Sequence, residues 1–356
     1  MKDQSPKNDE TNAKPALSPQ AKETIEKTTA AIKLEQTVAG AVLLGDVDAL
    51  RTALDGLRRL GASQLRLTDL HQATPLMKAA EGGHADMVQL LIEWSDVNAR
   101  DKWGNTALMN AADQGSLENV KLLAQTADVS ALNNQGDAAV HMAARMDYVE
   151  IVSFFAGLGP MPASDLWKDT TLHIAAENGS IKCVKVLMEL AKDALNNENS
   201  MGSTALCAAI DADHAEIAAL LAPFSDLGSQ WGDKEHSDVP ALYAAAIGAE
   251  KCLGLFLPEL NWRRSHKGRN ALELCRFAEL DDVKKDPCMA LLEAAAPMDI
   301  ARETLARNEK GAFPGLLARL EAIELAQIIA EARDDTKSTA NAASGPSASS
   351  SVAKRL

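Results

Sequence analysis

One seven-residue phrase recurs along this chain, and it limits the fold more than any other feature. It reads Thr74-Pro75-Leu76-Met77-Lys78-Ala79-Ala80, then Thr106-Ala107-Leu108-Met109-Asn110-Ala111-Ala112. It returns as Ala138-Ala139-Val140-His141-Met142-Ala143-Ala144 and as Thr170-Thr171-Leu172-His173-Ile174-Ala175-Ala176. The copy Thr204 to Ile210 carries its Ala pair one place early, and weaker copies start at Pro240 and Asn270. Successive starts lie 32, 32, 32, 34, 36 and 30 residues apart. A second phrase follows at a fixed offset, from Gly83 to Leu91, Gly115 to Leu123, Asp147 to Phe155 and Gly179 to Leu187.

Both phrases read as helices. Thr74, Thr106, Thr170 and Thr204 stand where a hydroxyl can cap free backbone N–H groups. Pro75 has the φ of a first helical residue and needs no N–H partner there. The Leu and the paired Ala fall at i, i+3 and i+4, on one face. Gly83, Gly115 and Gly179 stand where that helix stops and a positive φ is wanted. The second helix carries its apolar face as Val-x-Leu-Leu. Apolar residues make up 46% of the chain but aromatics only 4%, so the core is expected to pack small side chains, helix on helix. One helix pair is too small to bury its own face, so the copies must stack.

These phrases resemble the ankyrin repeat, whose pattern is Gly-x-Thr-Pro-Leu-His-x-Ala-Ala, then Gly-His, then a Val-x-Leu-Leu helix. The likeness covers about residues 36 to 297. It implies an all-α repeat solenoid of stacked helix-turn-helix units with β-hairpin or loop fingers. It also implies that His141 and His173, at the helix-start histidine position, make structural hydrogen bonds. His84 and His214 then belong to the inter-helix turn, and Cys207 to the core.

The same likeness turns the finger tips and the exposed edge of the first helix toward a concave groove, spanning residues 69 to 270. The tip residue ahead of the family glycine is Trp103, and Trp167 takes that place in another copy, with Lys168 where glycine would be. His71, Gln135 and Met201 take it elsewhere. Groove-edge positions after the Ala pairs are Glu81, Asp113, Gln114, Arg145, Glu177 and Asn178. A tip tryptophan is not needed by a helix stack, and exposed aromatics are typical binding anchors. Their mixed, rather acidic company points to a polar or basic-rimmed protein partner.

The ends depart from the pattern. Residues 1–35 read as a mostly disordered tail, polar and containing Pro6, Pro15 and Pro19, with a helix from about residue 21. Ser5-Pro6 and Ser18-Pro19 match the dipeptide of proline-directed kinases. Residues 36–68 read as an N-terminal capping repeat, and 69–297 as the array with divergent C-terminal copies. Residues 226 to 239, with Trp231, lengthen one connection. Residues 299–333 read as helices broken at Gly311 to Gly315 around Pro314, and the second carries a partial apolar stripe through Leu316, Leu320, Ile328 and Ile329. That stripe fits docking on the last repeat or pairing with another chain. Residues 334–356 read as a disordered Ser/Ala-rich tail.

Little in the sequence signals chemistry. The formal net charge of −14 disfavours phosphate backbones and anionic lipid as partners. Cys183, Cys207, Cys252, Cys275 and Cys288 are scattered without CxxC spacing, which signals neither a disulfide framework nor a zinc site. No phosphate-binding glycine loop or nucleophile elbow occurs, and the pairs Asp281-Asp282 and Asp334-Asp335 sit in polar stretches. The expectation is a non-enzymatic scaffold or adaptor with no catalytic residue, cofactor, metal or small-molecule substrate. It binds one or more proteins, not nucleic acid or membrane. With no apolar leader region in the first 35 residues, the expected location is cytoplasmic, with the nucleus open to it. The alternatives are a regulatory subunit of an enzyme and, with less support, an enzyme in residues 226 to 333.

Overall fold

In five copies the first phrase forms a helix seven residues long, too short to persist in water by itself. Packing therefore decides the structure. The computed structural model describes residues 18–164, 167–190, 192–225, 239–263, 269–278, 282–308, 312–323 and 325–326. The chain divides into two compact units, residues 1–171 and 172–356. No strand occurs among the described residues.

The first unit holds α1 (Pro19–Leu44), α2 (Val47–Arg59), α3 (Pro75–Glu81), α4 (Ala85–Ile92), α5 (Ala107–Asp113), α6 (Leu117–Leu123), α7 (Ala139–Arg145) and α8 (Val149–Leu158). Within a copy the two helices pack together, as α3 on α4, α5 on α6 and α7 on α8. Between copies α3, α5 and α7 form one row, and α4, α6 and α8 a second. The Ala pairs Ala79-Ala80, Ala111-Ala112 and Ala143-Ala144 are fully buried in the first row. Val88, Leu91, Val120, Leu123, Ile151 and Val152 close the second. Full burial of each such side chain is worth roughly 1.5–3 kcal/mol, which is what holds helices of this length.

The N-terminal end differs from the sequence expectation. Residues through 20 read as polar tail, yet α1 starts at Pro19, with the Ser18 side chain accepting from the Ala21 N–H at 3.2 Å. Ser-Pro is here an N-cap followed by proline at the first helical position, a start signal in its own right. Only the second half of α1 buries core residues, Val38, Ala41 and Val42. Ile25 and Ile32 remain half exposed.

The second unit begins inside α9 (Thr171–Glu177) and continues with α10 (Ile181–Leu190), α11 (Ala205–Asp211), α12 (Ala215–Leu221), α13 (Val239–Ile247), α14 (Glu250–Phe256), α15 (Ala271–Phe277), α16 (Asp282–Ala295) and α17 (Met298–Arg307). It repeats the two-row packing, α11, α13 and α15 in one row and α10, α12, α14 and α16 in the other. Asn270 and Glu273 start α15 with a reciprocal capping box, the side chain of each accepting the other's N–H at 3.0 and 3.1 Å. A last helical segment runs from residue 314 to 323, where Phe313, Leu316 and Leu320 are buried. Phe313 meets Phe277 edge-on at 6.4 Å, and Arg319 donates to the Glu293 and Ala296 carbonyls at 2.8 Å each. Ile328, Ile329, Trp231, Asp281, Ser5-Pro6, residues 1–17 of the N-terminal tail and the whole of 334–356 with the Asp334-Asp335 pair lie outside the described residues.

Candidate interaction surface

The connection ahead of a first helix is a five-residue turn, built alike in four copies. The N–H of Asp69, Asp101, Asn133 and Asn199 donates to the carbonyl four residues on, at 2.9–3.0 Å. The Oδ1 of the same residue accepts the N–H groups two and four residues on, at 2.7–3.1 Å. A short polar side chain thus replaces a backbone acceptor and closes the turn. The fourth turn residue is left-handed: Gly104, Gly136 and Gly202 in three copies, Gln72 (φ 63°) and Lys168 (φ 56°) where glycine is missing. Among the described residues these fingers are turns, without paired strands.

Neighbouring turns in the first unit are zipped together. Lys102 N–H donates to the His71 carbonyl at 2.8 Å, and Asn134 N–H to the Trp103 carbonyl at 2.9 Å. Asn134 Nδ2 reaches the Lys102 carbonyl at 3.2 Å, and Asn133 Nδ2 reaches Asn105 Oδ1 at 2.9 Å. The fit is tight at Gly104, where a Cβ would run into Asn134 Oδ1 and stand 2.9 Å from the Asn134 nitrogen.

The third turn residue projects from this frame. Trp103, Trp167 and Met201 are 50, 54 and 53% exposed, and His71 and Gln135 are exposed too. The Trp103 indole leans on the His71 imidazole, with ring centroids 5.0 Å apart. These two rings, with Glu81, Asp113 and Gln114, line one open cleft of about 220 Å³. Five sequence candidates thus meet in one place. Lys78, Asp101, Asn105 and Asn110 belong to the same lining, beside Ala73. None of these four stood out in the sequence reading, nor did Leu70, which is 98% exposed. A signal was present: Asp69, Asp101, Asn133 and Asn199 each stand five residues ahead of a phrase start.

The remaining candidates sit apart from this cleft. Arg145 Nη2 is held by the buried Asp137 carboxylate at 2.7 Å, so its guanidinium ties α7 to its own turn. Gln135 tips the next turn, and Trp167 lies further along the first unit. In the second unit, Met201 tips a turn, and Glu177 and Asn178 lie exposed at the end of α9. The Glu177 carbonyl lies 3.1 Å from His214 Nε2, and Asn178 Nδ2 donates to the Ile174 carbonyl at 2.9 Å.

The histidines stitch copies together. His141 is fully buried; its Nδ1 accepts the Ala138 N–H at 3.0 Å, so Nε2 carries the proton and donates to the Pro162 carbonyl at 2.9 Å. Burial holds this imidazole below its ordinary value, against the opposing pull of Asp137. His173 Nε2 lies 2.9 Å from the Ser203 carbonyl. Met77 and Met109 occupy the same position, where the thioether accepts the Thr74 or Thr106 N–H at 3.3 and 3.4 Å. His214 precedes α12 as His84 precedes α4, ten residues after its phrase start in each copy, and Asp213 takes the left-handed place of glycine at φ 56°. All five cysteines are buried and none is in a disulfide, and burial pushes the Cys207 thiol up to about 12. Among the described residues no cluster of three or more His, Cys, Asp or Glu is poised to hold a metal ion. No helix among them is long and apolar enough to cross a membrane.

A family model for ankyrin repeats matches three overlapping stretches, residues 40–133, 76–162 and 140–235. No curated protein shows significant similarity to the chain.

Proposed function

Because the chain belongs to the ankyrin-repeat family, whose repeats generally mediate protein–protein interaction, we propose that it is a scaffold or adaptor that binds a partner protein with its turn tips and the adjoining ends of its first helices, on the concave face. One observation carries this reading. At a single turn position, three copies hold a large apolar side chain about half exposed, Trp103, Trp167 and Met201. The helix rows need none of them. Large side chains that the fold leaves in water are the kind that anchor an interface.

The proposal is tested by affinity purification from the source cell, comparing the full-length chain with a Trp103→Ala/Trp167→Ala variant of equal helicity. Partners held by the first and lost by the second support the tips as the site. A partner list unchanged by the substitutions, or no specific partner at all, removes the basis for this reading.

A further inference from the structure

We propose that the cleft beside Trp103 receives an arginine side chain of the partner. The inference rests on the scaffold reading and names the chemistry of one contact within it. Three carboxylates line the cleft, Glu81, Asp101 and Asp113, against one ammonium, Lys78. Their commitments differ. Asp101 is 8% exposed, and its Oδ1 holds two N–H groups of its own turn. Glu81 is paired with Lys78 at 2.8 Å, and Lys78 also lies 3.9 Å from Asp69. Asp113 has only the neutral Gln114 amide, 3.2 Å from its Oδ2. No cation pairs with Asp113 among the described residues, and it is half-buried, where an added charge is screened less than at the open surface. Asn110, three residues earlier on α5, lines the same cleft, and its side-chain amide has no hydrogen-bond partner among the described residues.

The aromatic side of the cleft selects among cations. The Lys102 ammonium lies 5.7 Å from the centre of the Trp103 ring, so that ring already draws a positive charge. A guanidinium is better suited. It stacks flat on an indole, is more weakly hydrated than an ammonium, and keeps a fork of donors for a carboxylate. Arginine thus combines the Trp103 face, the Asp113 carboxylate and the Asn110 amide oxygen. Lysine brings a compact charge that cannot stack, and a glutamate meets repulsion.

The test titrates full-length protein with four Gly/Ser octapeptides that differ only in a central Arg, Lys, Gln or Glu. Binding is read by fluorescence anisotropy and by the assigned NMR signal of the Trp103 indole N–H. The Arg peptide is expected to bind about threefold more tightly than the Lys peptide, and about tenfold more tightly than Gln or Glu. Asp113→Asn, which keeps the side-chain volume, is expected to reduce the Arg-over-Gln preference about threefold, and Lys102→Ala to strengthen Arg binding. Melting curves confirm that each variant is folded; if Asp113→Asn melts early, Trp103→Leu tests the ring contact in its place. Equal binding of the four peptides, no Trp103 shift at millimolar peptide, or an Arg preference that survives these substitutions overturns the arginine site. Loss of cellular partners in the double Trp variant without any Arg preference leaves the scaffold reading standing and removes this one.

Discussion

Two positions in five of the copies, five residues apart, follow opposite rules. At the first-helix position Leu76, Leu108, Val140, Leu172 and Leu206 are similar in kind and at most 5% exposed. At the turn position His71, Trp103, Gln135, Trp167 and Met201 are dissimilar in kind and exposed. The period is the same, so the repeat does not cause the difference; the neighbours do. A helix closes over the first position and penalises any change of volume. Nothing in the fold closes over the second, which leaves it free to encode recognition.

The largest effect should come from breaking the buried position. Leu108→Ala is expected to cost about 2–5 kcal/mol, as other Leu-to-Ala changes in packed cores do. Chemical denaturation checks it. A loss below about 1 kcal/mol would mean that the rows are loosely packed, and the contrast between the two positions would fail.

A matched pair of glycines sharpens the comparison next. Gly83 and Gly115 stand at the same point of adjacent copies, with φ of 73° and 74°. A Cβ on Gly83 meets nothing within 4 Å, whereas one on Gly115 stands 2.7 Å from the Tyr148 ring. Gly83→Ala should cost the left-handed penalty alone, about 1–2 kcal/mol. Gly115→Ala should cost a further 1–3 kcal/mol, roughly, from overpacking against Tyr148. Equal losses would show that the ring moves aside freely.

The third prediction concerns the stitch between copies. The His141 value is lowered in the fold, so its contribution to stability is present above the unfolded value of 6.5 and is lost as pH falls through 6.5 toward the folded value. Asp137, 4.0 Å from the ring, Arg145, bound to Asp137, and Asp169 are the charged groups that act on it. His141→Met, copying the residue of the Met77 and Met109 copies, should remove that acid sensitivity. It should also cost about 1 kcal/mol above pH 7, because the Pro162 carbonyl loses its donor. Melting midpoints of both proteins at pH 5.5 and 7.5 decide it, and an identical pH response would place the sensitive group elsewhere.

What was legible in the sequence follows the same division. Helix starts, Ala pairs and left-handed glycines depend on neighbours within a few residues, so spacing alone exposed them. Ser18-Pro19 was local too, but the kinase reading and the polar surroundings hid its role as a helix start. The Asp and Asn turn closures repeat five residues ahead of the phrase starts, so their signal was equally local. The cleft was not legible as a cleft. His71 and Trp103 meet only because Lys102 N–H finds the His71 carbonyl across the sequence, a pairing that no local pattern encodes. Arg145 read as a groove-edge residue because nothing in the sequence shows that Asp137, eight residues earlier, is buried and faces it.

The smallest effect on stability belongs to the tips, and it separates the two positions most clearly. Trp103→Ala removes one ring contact with His71 and one cation contact with Lys102, both at an exposed site. Trp167 is likewise more than half exposed. Substituting both should shift stability by no more than about 1 kcal/mol, since exposed ring and cation contacts are each worth about 0.5–1 kcal/mol and their loss is partly offset by removing apolar surface from water. Thermal melting of the double variant checks this before any binding experiment is read. A loss as large as that from Leu108→Ala would mean that the tryptophans brace the turns, and a bracing residue that is also exposed would no longer point to a partner. A melting curve close to that of the unsubstituted chain would leave recognition as the physical reason for two large indoles to stand in water.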